Sequence, residues 1–272
     1  MALDARSWLM LVGSAAILAA CSDATSPKSP TTPDVASLLS EMSASGLGAA
    51  ASFASPEAGA VQSAMPSPTP ANCAFDASTG FFECPTVTVN GLTITRAFRL
   101  IDAAGNSQSQ ASGQTVAIET KSTVKGTVTF DVRGSASGTI AVDRSDDMTL
   151  SGIRTNKHTL NGQGASHLDN QITTSFGPLH TLLDATETTS NVVLPDAKSG
   201  QRWPQSGSIV YHQTTTENPE TPGAITFKTT VVVTFTGSSR VTITVTTDFG
   251  TQSCQYDLSQ RSTVGVCFVA VA

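Results

Sequence analysis

Charged side chains are scarce in this chain, 13% of its residues, and aromatic ones scarcer still, at 6%. Basic residues are the minority among the charges: 15 Lys and Arg stand against 21 Asp and Glu, a net charge of −6. That balance argues against nucleic acid as a partner, which calls for a basic footprint. Past the N-terminus no apolar run is long enough to span a bilayer as a helix. A phosphate-cradling glycine loop, an H-E-x-x-H zinc helix and an EF-hand loop are all missing, so no cofactor is implied. Thr, Ser, Gly, Val and Ala fill the chain instead. Runs of Val, Ile and Thr favour extended backbone, because β-branched side chains are stiff at χ1 and pack well on a pleated surface.

Trp8 to Ala20 (WLMLVGSAAILAA) is an apolar run of signal-peptide length, too short for a comfortable membrane span. It ends in Leu18-Ala19-Ala20-Cys21, which resembles the lipobox of bacterial type II signal peptides. Small residues at Ala19 and Ala20 admit the chain to a narrow peptidase site, and Cys21 supplies the thiol that carries diacylglycerol. The preceding MALDAR departs from the pattern by offsetting Arg6 with Asp4. The resemblance implies that residues 1–20 are a lipoprotein signal peptide and that Cys21 is lipidated. It also implies a protein anchored to the cell envelope. Ser22 after the cysteine, where Asp would signal retention, implies the outer membrane rather than the inner one.

Residues 21–71 read as a tether. Their Ser, Thr, Pro, Ala and Gly cannot bury enough apolar surface to offset the entropy of ordering. Within the tether, residues 33–45 (PDVASLLSEMSAS) predict a short amphipathic helix. Val35, Leu38, Leu39 and Met42 follow the i, i+3, i+4, i+7 spacing, Thr32 can cap it, and Gly46 can end it. A helix this short needs a surface to pack on.

Residues 72–272 read as an antiparallel β domain. Ile225, Phe227, Val231, Val233 and Phe235 alternate with Thr and Lys, and Val241, Ile243 and Val245 continue the pattern beyond Gly237-Ser238-Ser239. That is the period-2 alternation of a sheet with one buried face. A second hairpin joins Val124, Val128, Phe130 and Val132 to Ile140 and Val142 through Gly134-Ser135-Ala136-Ser137-Gly138, with Asp146-Asp147 expected in the following turn. Further strands are expected at Leu92–Ile101, Gln114–Thr120, Leu179–Leu194 and Ser208–Thr216. Connections this local predict an all-β meander that forms a curved open barrel or a sandwich.

Assigning Cys21 to lipid leaves four cysteines, an even number suited to disulfides in an exported chain. Cys73-Ala-Phe-Asp-Ala-Ser and Cys254-Gln-Tyr-Asp-Leu-Ser repeat a theme, each followed by another cysteine at hairpin distance. The expected pairs are therefore Cys73–Cys84 and Cys254–Cys267, with bridges joining the two ends of the sheet as the alternative.

Catalytic groupings are thin, and no catalytic residue is assigned. Gly134 to Gly138 has the outline of a nucleophile elbow, but its centre is Ala136 and it lies between antiparallel strands. Asp143, Asp146 and Asp147 offer oxygens to calcium, although a solvated acidic turn explains them as well. His158 and His167 flank Asn161-Gly162-Gln163-Gly164; a turn at Gly162-Gln163 would place both imidazoles on one face, whereas a turn at Asn161-Gly162 would part them. A metal there would need a third ligand from Asp169, His180 or His212.

Three functions remain open on these grounds. The leading expectation is a non-enzymatic envelope lipoprotein that binds lipid, another apolar ligand or an envelope component, or has a structural role. A metal-dependent enzyme built on His158 and His167 is the second, and an adhesive module presenting its Thr-rich face is the third.

Overall fold

The computed structural model of the protein describes residues 72–132, 136–174, 177–195, 203–258 and 262–264. The expected signal peptide, lipobox and helix at residues 33–45 lie outside them, as does Cys267. The described chain is all-β. Its strands are β1 (Ala74–Asp76), β2 (Phe81–Glu83), β3 (Val87–Val89), β4 (Leu92–Asp102), β5 (Ser107–Gln108), β6 (Thr115–Val132) and β7 (Ala136–Ser151). They continue with β8 (His158–Thr174), β9 (Gly177–Leu194), β10 (Ser206–Glu217), β11 (Ile225–Thr234), β12 (Arg240–Thr247), β13 (Gly250–Asp257) and β14 (Ser262–Val264).

All fourteen belong to one antiparallel sheet, in the order β1-β2-β4-β6-β7-β8-β9-β10-β11-β12-β13-β14, with β3 and β5 pairing on β4. Apart from β3 and β5 the order is sequential, and among the described residues no pairing joins the first strand to the last, so the sheet is open. The hairpins read from alternation are present, with Val231 opposite Val245 and Val233 opposite Ile243 between β11 and β12. We call the end at which β4 begins the lower rim and the end at which it finishes the upper rim.

Two expectations about turns are corrected. Asp146-Asp147 lies within β7, paired with Ser122 and Lys121 of β6, and not in a turn. Likewise Asn161-Gly162-Gln163-Gly164 lies inside β8, which runs unbroken from His158 to Thr174. Neither Gly162 nor Gly164 has the positive φ that a hairpin turn would use there. Their missing side chains serve close approach instead. A Cβ on Gly162 would lie 2.3 Å from the Asp147 carbonyl oxygen and 2.8 Å from the Met148 Cα.

Alternation sorts the side chains to two faces. On β4, Leu92, Ile94, Phe98 and Leu100 are buried; β6 adds Ile118 and Val124, and β7 adds Val142 and Leu150. One apolar cluster, toward the upper rim, runs from Phe98 and Leu100 through Leu150, Leu160, Val192 and Ile209 to Val241, Ile243 and Tyr256. A smaller one, toward the lower rim, holds Leu92, Ile94, Val124, Val142, Leu168 and Leu183. In β9 the register slips by one residue near Asn191, whose φ is 50°. This bulge keeps both Thr189 and Val192 on the buried face although they are three apart. Asn161 stabilises it by accepting the Asn191 N–H at 2.7 Å.

The expected Cys73–Cys84 disulfide is present, clamping β1 to the chain just after β2. Cys254 is also disulfide-bonded.

Candidate functional site

Between the two apolar clusters the buried face carries charge. Arg96, Ser122, Asp146, Gly164, Glu187 and Tyr211 are successive cross-strand partners on β4, β6, β7, β8, β9 and β10. Arg144 stands two residues from Asp146 on the same face of β7. Its Nε donates to Asp146 Oδ2 at 2.9 Å and its Nη2 to Oδ1 at 2.8 Å, a bidentate pair. Nη2 also reaches Glu187 Oε2 at 3.4 Å. Thr189 donates to the other Glu187 oxygen at 3.3 Å, and the Ser122 hydroxyl to Asp146 at 3.4 Å.

These groups have left water almost entirely: Arg144 is 6% exposed, Glu187 9%, Tyr211 4% and Thr189 2%. Gly164 leaves room for the Asp146 carboxylate. A Cβ there would sit 2.6 Å from Asp146 Oδ1, so a side chain at this position would displace the Asp146 carboxylate from its place against Arg144.

Burial pushes the Glu187 carboxyl above the usual carboxylate range, although the Arg144 charge opposes the shift. Burial works against the Arg144 charge too, but the hydrogen bond and charge of Asp146, followed by Glu187, outweigh it and raise its pKa. Tyr211 is raised by burial and then by the Glu187 charge, so it stays a neutral phenol. Asp146 and Glu187 both contact the Arg144 guanidinium, and burial favours the protonated form of Glu187.

Because the native state binds this proton more tightly than the unfolded chain, the stability it contributes is complete below the ordinary glutamate range. It is lost as pH rises through the raised value. Glu187→Gln keeps the shape and removes the titration. The urea midpoint of Glu187→Gln is therefore expected to gain on that of the wild type as pH rises from 4 to 8. A constant difference between the two would contradict the assignment.

The opposite face is polar and exposed. An open groove of about 560 Å³ crosses it, lined by Asp143, His167, Asp184, His212, Lys228 and Thr230 among others. His167 Nδ1 lies 2.7 Å from Asp184 Oδ1, and Lys125 Nζ lies 3.0 Å from Asp143 Oδ2. Both pairs are more than half exposed, so water screens them and neither adds much stability.

The paired-histidine expectation is corrected here. His158 and His167 are on one strand, nine residues apart, which is roughly 30 Å at the rise of a β-strand, and an odd separation sends them to opposite faces. His158 pairs in register with Leu194, and His167 with Asp143 and Asp184. Of the proposed third ligands, His180 contacts Asp169 at 2.9 Å and Glu220 at 3.1 Å, while His212 contacts Thr230 at 3.0 Å. Among the described residues, no three His, Cys, Asp or Glu side chains are placed to hold a metal ion.

Arg144, Glu187 and Tyr211 were not singled out by sequence reasoning, and Gly164 entered it only as part of an expected turn. The signal was there in β7, where Arg144 and Asp146 fall on the same parity as Val142, Met148 and Leu150. No protein-family model, curated protein or solved structure matches this chain.

Proposed function

We propose that this chain is an exported envelope lipoprotein, held in the outer membrane by lipid on Cys21, whose β domain is a non-enzymatic binding or structural module. The observation that carries the reading is Leu18-Ala19-Ala20-Cys21 at the end of an apolar run of signal-peptide length. The Cys73–Cys84 disulfide supports it, because such bonds persist in oxidising compartments. Each acyl chain adds about 0.8 kcal/mol per buried CH₂, so the two or three chains of a lipoprotein cysteine hold the protein firmly.

The domain itself sits in water on this reading. Its exposed face offers Thr93, Lys125, Asp143, His167 and Asp184 in one row, where a membrane barrel would need an apolar band. The apolar face is used internally. Leu150, Leu160, Val192 and Ile209 are 0% exposed, which supports a sheet curved into an open barrel around its own side chains. A packed face crossed by an ion cluster is poorly suited to a large apolar ligand, so contacts with other envelope components fall to the rims and the polar face.

Labelling with radioactive palmitate tests the anchor. Wild-type protein is expected to take up label and sediment with membranes; Cys21→Ser is expected to take up none and move to the soluble fraction. Equal labelling of the two proteins would end the proposal.

A further inference from the structure

Histidine is the side chain that gains and loses a charge between pH 5 and 8, and the two forms differ in what they can bond. Neutral imidazole has one N–H and one lone pair, whereas imidazolium has two N–H groups. What faces the two nitrogens therefore decides which form a site accepts.

His212, His167 and His180 share the polar face and differ in this respect; His180 is four residues before Asp184 on β9, hence on the same side. His212 Nδ1 lies 3.0 Å from the Thr230 hydroxyl, which can donate or accept and so suits either form. His167 meets Asp184 through Nδ1 at 2.7 Å, a bond that a single N–H satisfies. His180 has a carboxylate oxygen at each nitrogen. Asp169 Oδ1 is 2.9 Å from Nε2, and Glu220 Oε1 is 3.1 Å from Nδ1. Only the doubly protonated ring donates to both. In the neutral ring one lone pair would face an anion at hydrogen-bond distance.

The two acids come from different parts of the fold. Asp169 is on β8, in register with Leu182, and accepts a bond from Gln171 Nε2 at 3.4 Å. Glu220 belongs to the β10–β11 connection, residues 218–224, outside the strand pairing. The backbone of that connection also meets β9: Asn218 N–H donates to the His180 carbonyl oxygen at 2.7 Å. Thr221 N–H then closes a turn on the Asn218 carbonyl oxygen at 3.0 Å. Pro219 and Pro222 have no N–H to add. The other neighbours of His180 on its face are Gln171 and Thr173 of β8, Pro178 and Leu182 of β9 and Thr216 of β10, all uncharged. Glu217, in register with Thr181, is on the opposite face.

We propose that His180 is a proton-operated latch: its imidazolium ties the β10–β11 connection to the sheet through Glu220, and its deprotonation releases that tie. Exposure decides which carboxylate is let go. The Asp169 side chain is 31% exposed and that of Glu220 78%. Water replaces the ring at Glu220 with little loss, while the less hydrated Asp169 keeps the remaining N–H. The latch is closed in acid and opens as pH rises. It is built from the β domain alone and does not depend on lipid at Cys21.

Hydrogen exchange of the full chain, read by mass spectrometry in peptides spanning residues 218–224, tests the latch. Labelling times are scaled at each pH so that the intrinsic amide rate is the same. Exchange in this segment is expected to rise about threefold from pH 5.5 to 8.5, the effect of losing one largely exposed ion pair. Glu220→Gln is expected to abolish the rise, because an amide can donate to the ring or accept from it. Asp169→Asn is expected to keep the connection protected at pH 8.5. Its amide can donate to Nε2, which leaves the single N–H of the neutral ring on Nδ1 for Glu220. The absence of a rise in the wild type, or a rise that persists in Glu220→Gln, overturns the proposal. So does an Asp169→Asn chain whose connection exchanges as fast at pH 8.5 as that of the wild type.

Discussion

Replacing Arg144 with methionine is expected to lower the unfolding free energy by about 3–5 kcal/mol. The loss comes from what remains, not only from what is removed. Asp146 and Glu187 would be left on the buried face without the guanidinium that both contact at 2.8 and 3.4 Å. A buried charge whose partner is deleted costs more than the pair contributed, because the desolvation of the survivor is no longer offset. Urea titration at pH 7 checks the magnitude. Repeating it in a Glu187→Gln background separates the causes. If orphaned carboxylates are the source, Arg144→Met costs distinctly less there, and the non-additivity measures the Arg144–Glu187 coupling. A loss below 1 kcal/mol in the single variant would show that water reaches the cluster.

Gly162→Val is expected to cost about 3 kcal/mol, at the upper end for an overpacked site. The added Cβ would meet backbone of β7: the Asp147 carbonyl oxygen at 2.3 Å and the Met148 Cα at 2.8 Å. A flexible side chain can swing away from such a contact, but a hydrogen-bonded strand cannot. Relief therefore requires β7 and β8 to part inside their continuous pairing. Thermal unfolding compared with Gly223→Val, at a loop glycine with open space around it and no left-handed φ, supplies the reference. Equal effects at the two positions would mean that Gly162 is not pressed against β7.

The gap between sequence and structure has a common cause in these same residues. Strands whose buried face is apolar were legible: β11 and β12 follow from Val231, Val233, Val241 and Ile243 nearly to the residue. The Cys73–Cys84 staple was legible from a repeated local motif. Where a strand puts polar or bare positions on its buried face, composition imitates a turn. Asp146-Asp147 and Asn161-Gly162-Gln163-Gly164 look like connections, yet they cross the sheet at the level of the ion cluster. The cluster thus hid itself, because its carboxylates and the glycine that makes room for them are the residues that break the alternation. The histidine pair failed for the same reason: with no turn at Gly162, His158 and His167 have no way to meet. Nothing in a single sequence foretold the one-residue slip at Asn191, whose effect is to change which parity of β9 is buried.

The strictly sequential strand order bears on how the domain is made. From β7 to β13, each strand's partners are the strands just before and just after it in the chain. A chain delivered N-terminus first therefore never has to hold a strand exposed while a distant partner is completed. Pairings between adjacent segments close small loops and form quickly, in contrast to crossovers that wait on remote chain. The hazard is confined to one edge at any moment, the last strand added, which is a template for other chains until its successor arrives. β6 to β9, at 18, 16, 17 and 18 residues, are the strands for which that interval matters most. Their outward rows of Lys, Asp, Thr and His keep each transient edge charged and hydrated while it waits.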